Sequence, residues 1–141
     1  MPIAGLRFIS IEAKKESNFM GKMKINSTPK ITSIKEAKAP LFKNDALSFS
    51  FEFLTKYEPE VAKIKIEGEL LFLTEKKDEI LNLWEKERKI PQDVSIQVIN
   101  HIFNVCLTKI ITIATDLQLP PPIPFPRVGP KPKQREVNYI G

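Results

Sequence analysis

The stretch VSIQVINHIFNVCLTKIITIATDL, residues Val94–Leu117, decides the fold of this chain. Its apolar residues recur at the spacing of an α-helix, which predicts one long helix over this range. They form two sets that point to different sides of that helix. The first set is Val94, Val98, Ile102 and Val105, and the second is Ile96, Ile99, Phe103, Cys106, Ile110, Ile113 and Leu117. Because so wide an apolar surface needs cover on both sides, we expect the chain to cover one side and a second subunit to cover the other.

We therefore expect a homo-oligomer, either a dimer or a tetramer, whose subunits meet along the long helix. The residues predicted to form this interface are Val94, Val98, Ile102, Val105 and Lys109.

The long helix does not have the composition of a membrane span. It is interrupted by several polar residues, namely Asn100, His101, Asn104, Lys109 and Asp116. The first residues, Met1–Ile11, lack the basic stretch followed by an apolar run that a signal peptide needs. We expect a soluble, cytoplasmic protein without membrane insertion.

The residues before the long helix alternate between apolar and polar, as β-strands do. Four strands are predicted, at Leu6–Ala13, Met23–Ile34, Leu47–Phe53 and Ala62–Phe72. The alternation slips before Ile34, which indicates a β-bulge, and Pro29 favours either an edge position or a bulge in the second strand. The turn Thr55–Glu60 makes the last two strands an antiparallel hairpin.

A short helix is predicted at Glu79–Lys89, with Asp78 as its N-cap. Strands first and helices last is typical of an α+β fold, here a four-stranded antiparallel sheet with a short and a long C-terminal helix on one face. The length of 141 residues fits one domain, which we place at residues 1–128. Residues 129–141 are polar and basic, and we expect a loosely ordered tail there.

The ionisable residues do not favour catalysis, metal binding or nucleic-acid binding. His101 and Cys106 are the only histidine and cysteine, so neither a zinc site nor a catalytic pair is indicated. We expect no enzyme activity and no cofactor. The net charge is +5, but lysines alternate with glutamates, which is typical of a solvated surface. A nucleic-acid-binding module is therefore an alternative that the sequence does not favour.

The order of these elements resembles that of the bacterial export chaperone SecB and its SecB-like relatives. The matching pieces are Tyr57–Gly68 (YEPEVAKIKIEG), the helix Val94–Leu117 and the proline-rich segment Leu119–Pro126 (LPPPIPFP). The resemblance implies an ATP-independent chaperone, or holdase, that binds unfolded or nascent polypeptides. It also implies an assembly of dimers in which long helices lie between sheets. An adaptor with the same fold that recognises one dedicated partner protein is the first alternative.

Client binding requires exposed apolar side chains. The candidates are residues that the core does not need, namely Phe8, Ile9, Leu71, Leu73 and Trp84. Phe8 and Ile9 are neighbours on one strand and cannot both point inward. Trp84 is the single tryptophan, and such a residue on an amphipathic helix is more often half-buried and part of the packing. The apolar face of Leu47–Phe53 has two interpretations, a core under the long helix or a client groove, and the core is favoured.

Overall fold

Four antiparallel strands form one sheet in the computed structural model of this chain, which describes residues 2–18, 21–38 and 45–122. The strands are β1 (Ile3–Lys15), β2 (Lys24–Ala37), β3 (Ala46–Glu58) and β4 (Ala62–Leu73). They lie in the order β1-β4-β3-β2, so β1 and β2 are the edge strands. Two helices follow, α1 (Lys77–Glu87) and α2 (Gln92–Asp116). The predicted α+β class and the four-stranded antiparallel sheet are confirmed.

The core lies between the inward face of the sheet and α2. In β3 the alternation places Leu47, Phe49, Phe51 and Phe53 on this face, and none of them is more than 2% exposed. The inward residues of β4 are buried beside them. The apolar face of β3 is therefore core, and the interpretation favoured from the sequence is confirmed.

The helix α2 buries one row of residues, each four positions after the last. The row is Val94, Val98, Ile102, Cys106, Ile110 and Ala114. Four residues exceed one helical turn, so such a row slants around the helix axis, and α2 packs across the sheet at an angle. Phe103, Leu107, Ile113 and Leu117 flank the row and pack against the core while remaining partly exposed.

The bounds of the elements differ by up to five residues from those predicted, and two of these differences change an interpretation. β3 continues to Glu58 through most of the expected turn, because Tyr57 is buried and its hydroxyl donates a hydrogen bond to the Pro120 carbonyl oxygen over 2.6 Å. The helix α1 begins at Lys77, so Asp78 lies in its first turn and is not the N-cap.

Both edge strands are irregular. The register of β2 shifts between Ile31 and Ser33, which confirms the predicted bulge, and Pro29 lies in this edge strand. The register of β1 shifts near Ala4 and again near Ile9. Bulges and prolines at sheet edges hinder the addition of further strands. Neither edge of this sheet therefore offers a regular row of backbone groups to which another strand could pair.

The chain after α2 is fixed to the end of the sheet. Lys15 of β1 donates a hydrogen bond to the carbonyl oxygen of Leu117 over 3.2 Å, and Leu119 is buried. The proline-rich segment is described as far as Pro122. The predicted domain boundary at residue 128 and the predicted tail 129–141 lie outside the described residues.

Gly68 of β4 lies where its neighbours in β1 and β3 leave no room for a side chain. It lies opposite Phe8 in β1 and Phe51 in β3, on the inward face. A Cβ at Gly68 would lie 2.7 Å from Cζ of Phe51 and would overlap the Arg7 carbonyl oxygen. Neither the buried ring nor the backbone can move away easily.

We predict that Gly68→Ala lowers the free energy of unfolding by about 1–3 kcal/mol, because the added methyl group overpacks the core. The matched control is Gly5→Ala in β1, where an added Cβ meets nothing within 4 Å. Denaturant unfolding measures both. Equal stability of the two variants would contradict the close packing at Gly68.

Candidate functional site

A groove lies between the edge strand β2 and the two helices. Its cavity volume is about 730 Å³, which is in the range of protein ligand pockets. Its lining comes from three separate parts of the chain: Lys30, Ile31 and Thr32 in β2, Trp84 and Arg88 at the end of α1, and Ile90, Ser95 and Ile99 around the start of α2. Four of these residues are large and apolar, so the groove can accept an apolar group.

The helix α1 places Trp84 at the groove. Ile80, one turn earlier, is fully buried and anchors the helix on the sheet, while Trp84 is half-buried and packs against the core. At the start of α1, the Lys77 ammonium lies 2.6 Å from a Glu36 carboxylate oxygen at the end of β2. Hydrogen bonding from Lys77 lowers the pKa of Glu36 below its usual value. This ion pair holds α1 beside β2, although its exposure to solvent limits its strength.

Arg88 ends α1 and lies over the tryptophan ring. Its backbone is in the left-handed region, with φ of 55°, and its N–H donates to the Trp84 carbonyl oxygen over 2.9 Å. The guanidinium carbon lies 5.4 Å from the centroid of the Trp84 ring, a cation–π distance. The helix end therefore places both an aromatic surface and a positively charged side chain at the groove.

The part of β2 that lines the groove contains the β-bulge of this strand. Ile31 pairs with Phe51 in the register and packs partly against the core. Thr32, the extra residue, donates its hydroxyl to the Ser50 carbonyl oxygen over 3.1 Å. Because the bulge interrupts the regular edge at this point, side-chain contacts rather than a continued ladder would hold a bound segment here.

The structure does not bring the five predicted client-binding residues into one site. Trp84 alone lies in the groove. Phe8 points inward and packs against the core, while Ile9, its neighbour at the β1 bulge, is 60% exposed. Leu71 and Leu73 are half-buried on the opposite face of the sheet, away from α2, and Leu71 lines a smaller pocket of about 440 Å³.

Most of the predicted subunit interface is used by the chain itself. Val94, Val98 and Ile102 belong to the row that packs on the sheet and are at most 5% exposed, so they are not available to a partner. The prediction is corrected for these three residues. Val105 is half-buried and Lys109 is exposed, and their role in an interface stays a prediction.

The outward side of α2 is more polar than the two apolar sets suggested. Its outermost row is Ile96, Asn100, Asn104, Thr108 and Thr112, all of them exposed. Only Ile96 is a large apolar residue, and it is 53% exposed. Apart from Ile96, which lies on this outward side, the two predicted sets consist of residues of the buried row and residues that flank it.

By length and composition alone, α2 could cross a membrane. This is weak evidence for a membrane protein, because the core helix of a soluble protein meets the same criterion. In the structure the buried row of α2 packs on the sheet as a core helix does, although only 28% of its most apolar stretch is buried within the chain.

Two ionisable groups among the described residues, the Cys106 thiol and the Tyr57 hydroxyl, belong to buried core residues. Burial raises the pKa of the Cys106 thiol to about 12, so the thiol stays protonated and unreactive at neutral pH. Burial likewise raises the pKa of Tyr57 to about 12. Within residues 2–18, 21–38 and 45–122, no group of three His, Cys, Asp or Glu residues is placed to hold a metal ion.

Of the residues that line the groove, only Trp84 was predicted from the sequence; the others include Ile31, Arg88, Ile90 and Ile99. A partial signal existed for Ile31, which lies where the alternation of β2 slips, and for Ile90, a large apolar residue in the link before Pro91. No sequence signal marked Arg88, because its position over Trp84 depends on the left-handed end of α1.

Comparison with known proteins gives the fold. No family model and no curated protein sequence matches this chain. Among solved structures, the chain is similar to the Mycobacterium tuberculosis Rv1957 SecB-like chaperone in complex with a ChAD peptide from the Rv1956 HigA1 antitoxin. The TM-score is 0.58 at 11% sequence identity, over 90% of this chain and 88% of that chain. The chain therefore has a SecB-like fold, as its order of elements predicted.

Proposed function

We propose that this chain is a cytoplasmic polypeptide-binding protein of the chaperone type, which holds unfolded or nascent segments without nucleotide, cofactor or chemical reaction. The observation that carries the proposal is the groove, where Ile31, Trp84 and Ile99 present apolar surface to solvent beside an irregular sheet edge. The fold supports it, because the similar SecB-like chaperone from M. tuberculosis is described in complex with a peptide.

The size of the groove fits reversible binding. A segment that buries about 120 Å² of apolar area, counted over the groove and the segment together, gains about 3 kcal/mol before costs, at about 25 cal/mol per Å². Ordering the segment and its side chains removes a large part of this gain. The remaining free energy corresponds to a weak, exchangeable complex, which is what a holdase needs in order to release its client.

A second candidate function is an adaptor that recognises one dedicated partner protein. The peptide in the similar structure comes from a particular antitoxin, which fits such a role at least as well as general client binding. The two functions differ in what the immobilised protein retains from a mixture of unfolded proteins. A holdase retains many, whereas an adaptor retains a single partner in a fixed ratio.

We predict that the purified chain, in several-fold excess and without nucleotide, suppresses the aggregation of an unfolding client protein followed by light scattering. Ile99→Ala should require about fivefold more protein for the same suppression, because it removes apolar contact worth about 1 kcal/mol. Ile99 is a suitable position since it lines the groove and is only half-buried.

The matched control is Ile9→Ala, which removes the same groups from an exposed position on β1. It should suppress aggregation as well as the wild type does. The groove assignment fails if Ile9→Ala loses as much activity as Ile99→Ala, and the chaperone proposal fails if the wild type gives no suppression at all.

We also propose that the chains self-associate through exposed apolar residues around the first turns of α2. Ile96 is the main support, since it is exposed on a helix whose most apolar stretch is largely uncovered. Because Val94, Val98 and Ile102 are occupied by the sheet, the contact surface must be smaller than the one predicted from the sequence.

Sedimentation at increasing concentration should give a mass above that of one chain, and Ile96→Asp should lower it, because a carboxylate would be desolvated in the contact. Ile9→Asp places the same charge on β1 and should leave the mass unchanged. A wild-type mass of one chain at every concentration would contradict self-association, and a drop with Ile9→Asp alone would place the contact on β1.

A further inference from the structure

The groove between β2 and the helices carries charge of one sign. Among the described residues that line it, Lys30 and Arg88 are the ionisable ones, and no aspartate or glutamate is present. Within the described chain, neither of these two side chains forms a salt bridge, whereas nearby Lys89 lies 4.0 Å from Glu87. Two unpaired cations therefore border an apolar surface.

The geometry of Arg88 suits a carboxylate that arrives with an apolar group. Its guanidinium carbon lies 5.4 Å from the centroid of the Trp84 ring, a cation–π distance, and a guanidinium carries five N–H donors in one plane. A carboxylate can accept two of these N–H groups in a bidentate pair. An apolar side chain seated beside Trp84 would bring a neighbouring carboxylate of the same segment to this position.

Lys30 lies on the opposite wall of the groove, in β2. The register places it opposite Glu52 of β3 on the outward face, yet the two side chains are not joined in a salt bridge. Lys30 precedes the bulge, so its long side chain starts at the sheet edge and can reach toward either face. A second acidic residue of a bound segment could pair with the Lys30 ammonium on this side of the groove.

We propose that the groove selects extended polypeptide segments in which an apolar residue is flanked by acidic residues. This inference rests on the proposed polypeptide-binding function and names the class of segment that the site prefers. The apolar side chain packs against Trp84, Ile90 and Ile99, while the flanking carboxylates meet Arg88 and Lys30. The net charge of +5 on the whole chain adds a longer-range attraction for such segments.

The test uses three short synthetic peptides that share a central leucine–phenylalanine pair. The pair is flanked by aspartates in the first peptide, by asparagines in the second and by lysines in the third. Calorimetry measures the binding of each peptide to the full chain, and the emission of Trp84, the single tryptophan, reports occupancy of the groove.

The aspartate peptide should bind about five- to tenfold more tightly than the asparagine peptide at low salt, and the preference should shrink as salt is added. Arg88→Gln should remove most of this preference, because it removes the cation that pairs with an aspartate of the bound peptide. The matched control, Lys63→Gln, removes the same charge from an exposed position on β4 and should keep the preference.

Equal binding of the aspartate and asparagine peptides, or tighter binding of the lysine peptide, overturns the charge selection while the groove remains a polypeptide site. Loss of the preference in Lys63→Gln as well as in Arg88→Gln also overturns it, because net charge rather than the groove would then be responsible. Failure of all three peptides to bind overturns the proposed function together with this inference.

Discussion

The contact between the aromatic face of β3 and the buried row of α2 is the interaction on which the rest of this structure depends. Phe49, Phe51 and Phe53 are almost fully buried, and full burial of one such side chain contributes about 1.5–3 kcal/mol. Edge-to-face contacts extend the cluster on both sides, since the ring centroids of Phe49 and Phe72 lie 5.7 Å apart and those of Phe53 and Phe103 lie 5.2 Å apart. These rings fix where α2 crosses the sheet.

The position of α2 in turn creates the groove. The helix α2 packs over β2, β3 and β4, and the short helix α1 that precedes it lies against the edge strand β2. There the bulge at Thr32 and the left-handed end of α1 leave a gap that the core residues do not fill. The elements that carry Trp84, Ile90 and Ile99 pack on the core, which keeps these side chains at the walls of the groove. A site supported in this way is largely formed before a ligand binds.

The elements of this fold could be predicted from the sequence because each carries its own local signal. The alternation in Leu47–Phe53 and the helical spacing in Val94–Leu117 depend on neighbouring residues only. The side of α2 that faces the sheet could not be predicted, because apolar residues lie on both flanks of the buried row. Val94, Val98 and Ile102 were therefore assigned to a partner, although they pack on the sheet.

The candidate site was predictable only in part, for a related reason. Trp84 stands out in any sequence as a large residue on a short amphipathic helix, but Ile31, Arg88 and Ile99 belong to three elements that only the folded chain brings together. The likeness to a SecB-like chaperone, at 11% identity, gives the fold, while function must be argued from the groove and its chemistry.

Methyl NMR of the isoleucines during titration with an unfolded polypeptide tests the central claim most directly, which is that the groove between β2 and the helices is where polypeptide binds. The account predicts that the methyl signals of Ile31, Ile90 and Ile99 shift together with the Trp84 indole signal, while Ile9 and Ile11 on β1 stay unchanged. Shifts confined to Ile9 and Ile11, or no shift at any isoleucine, would contradict it.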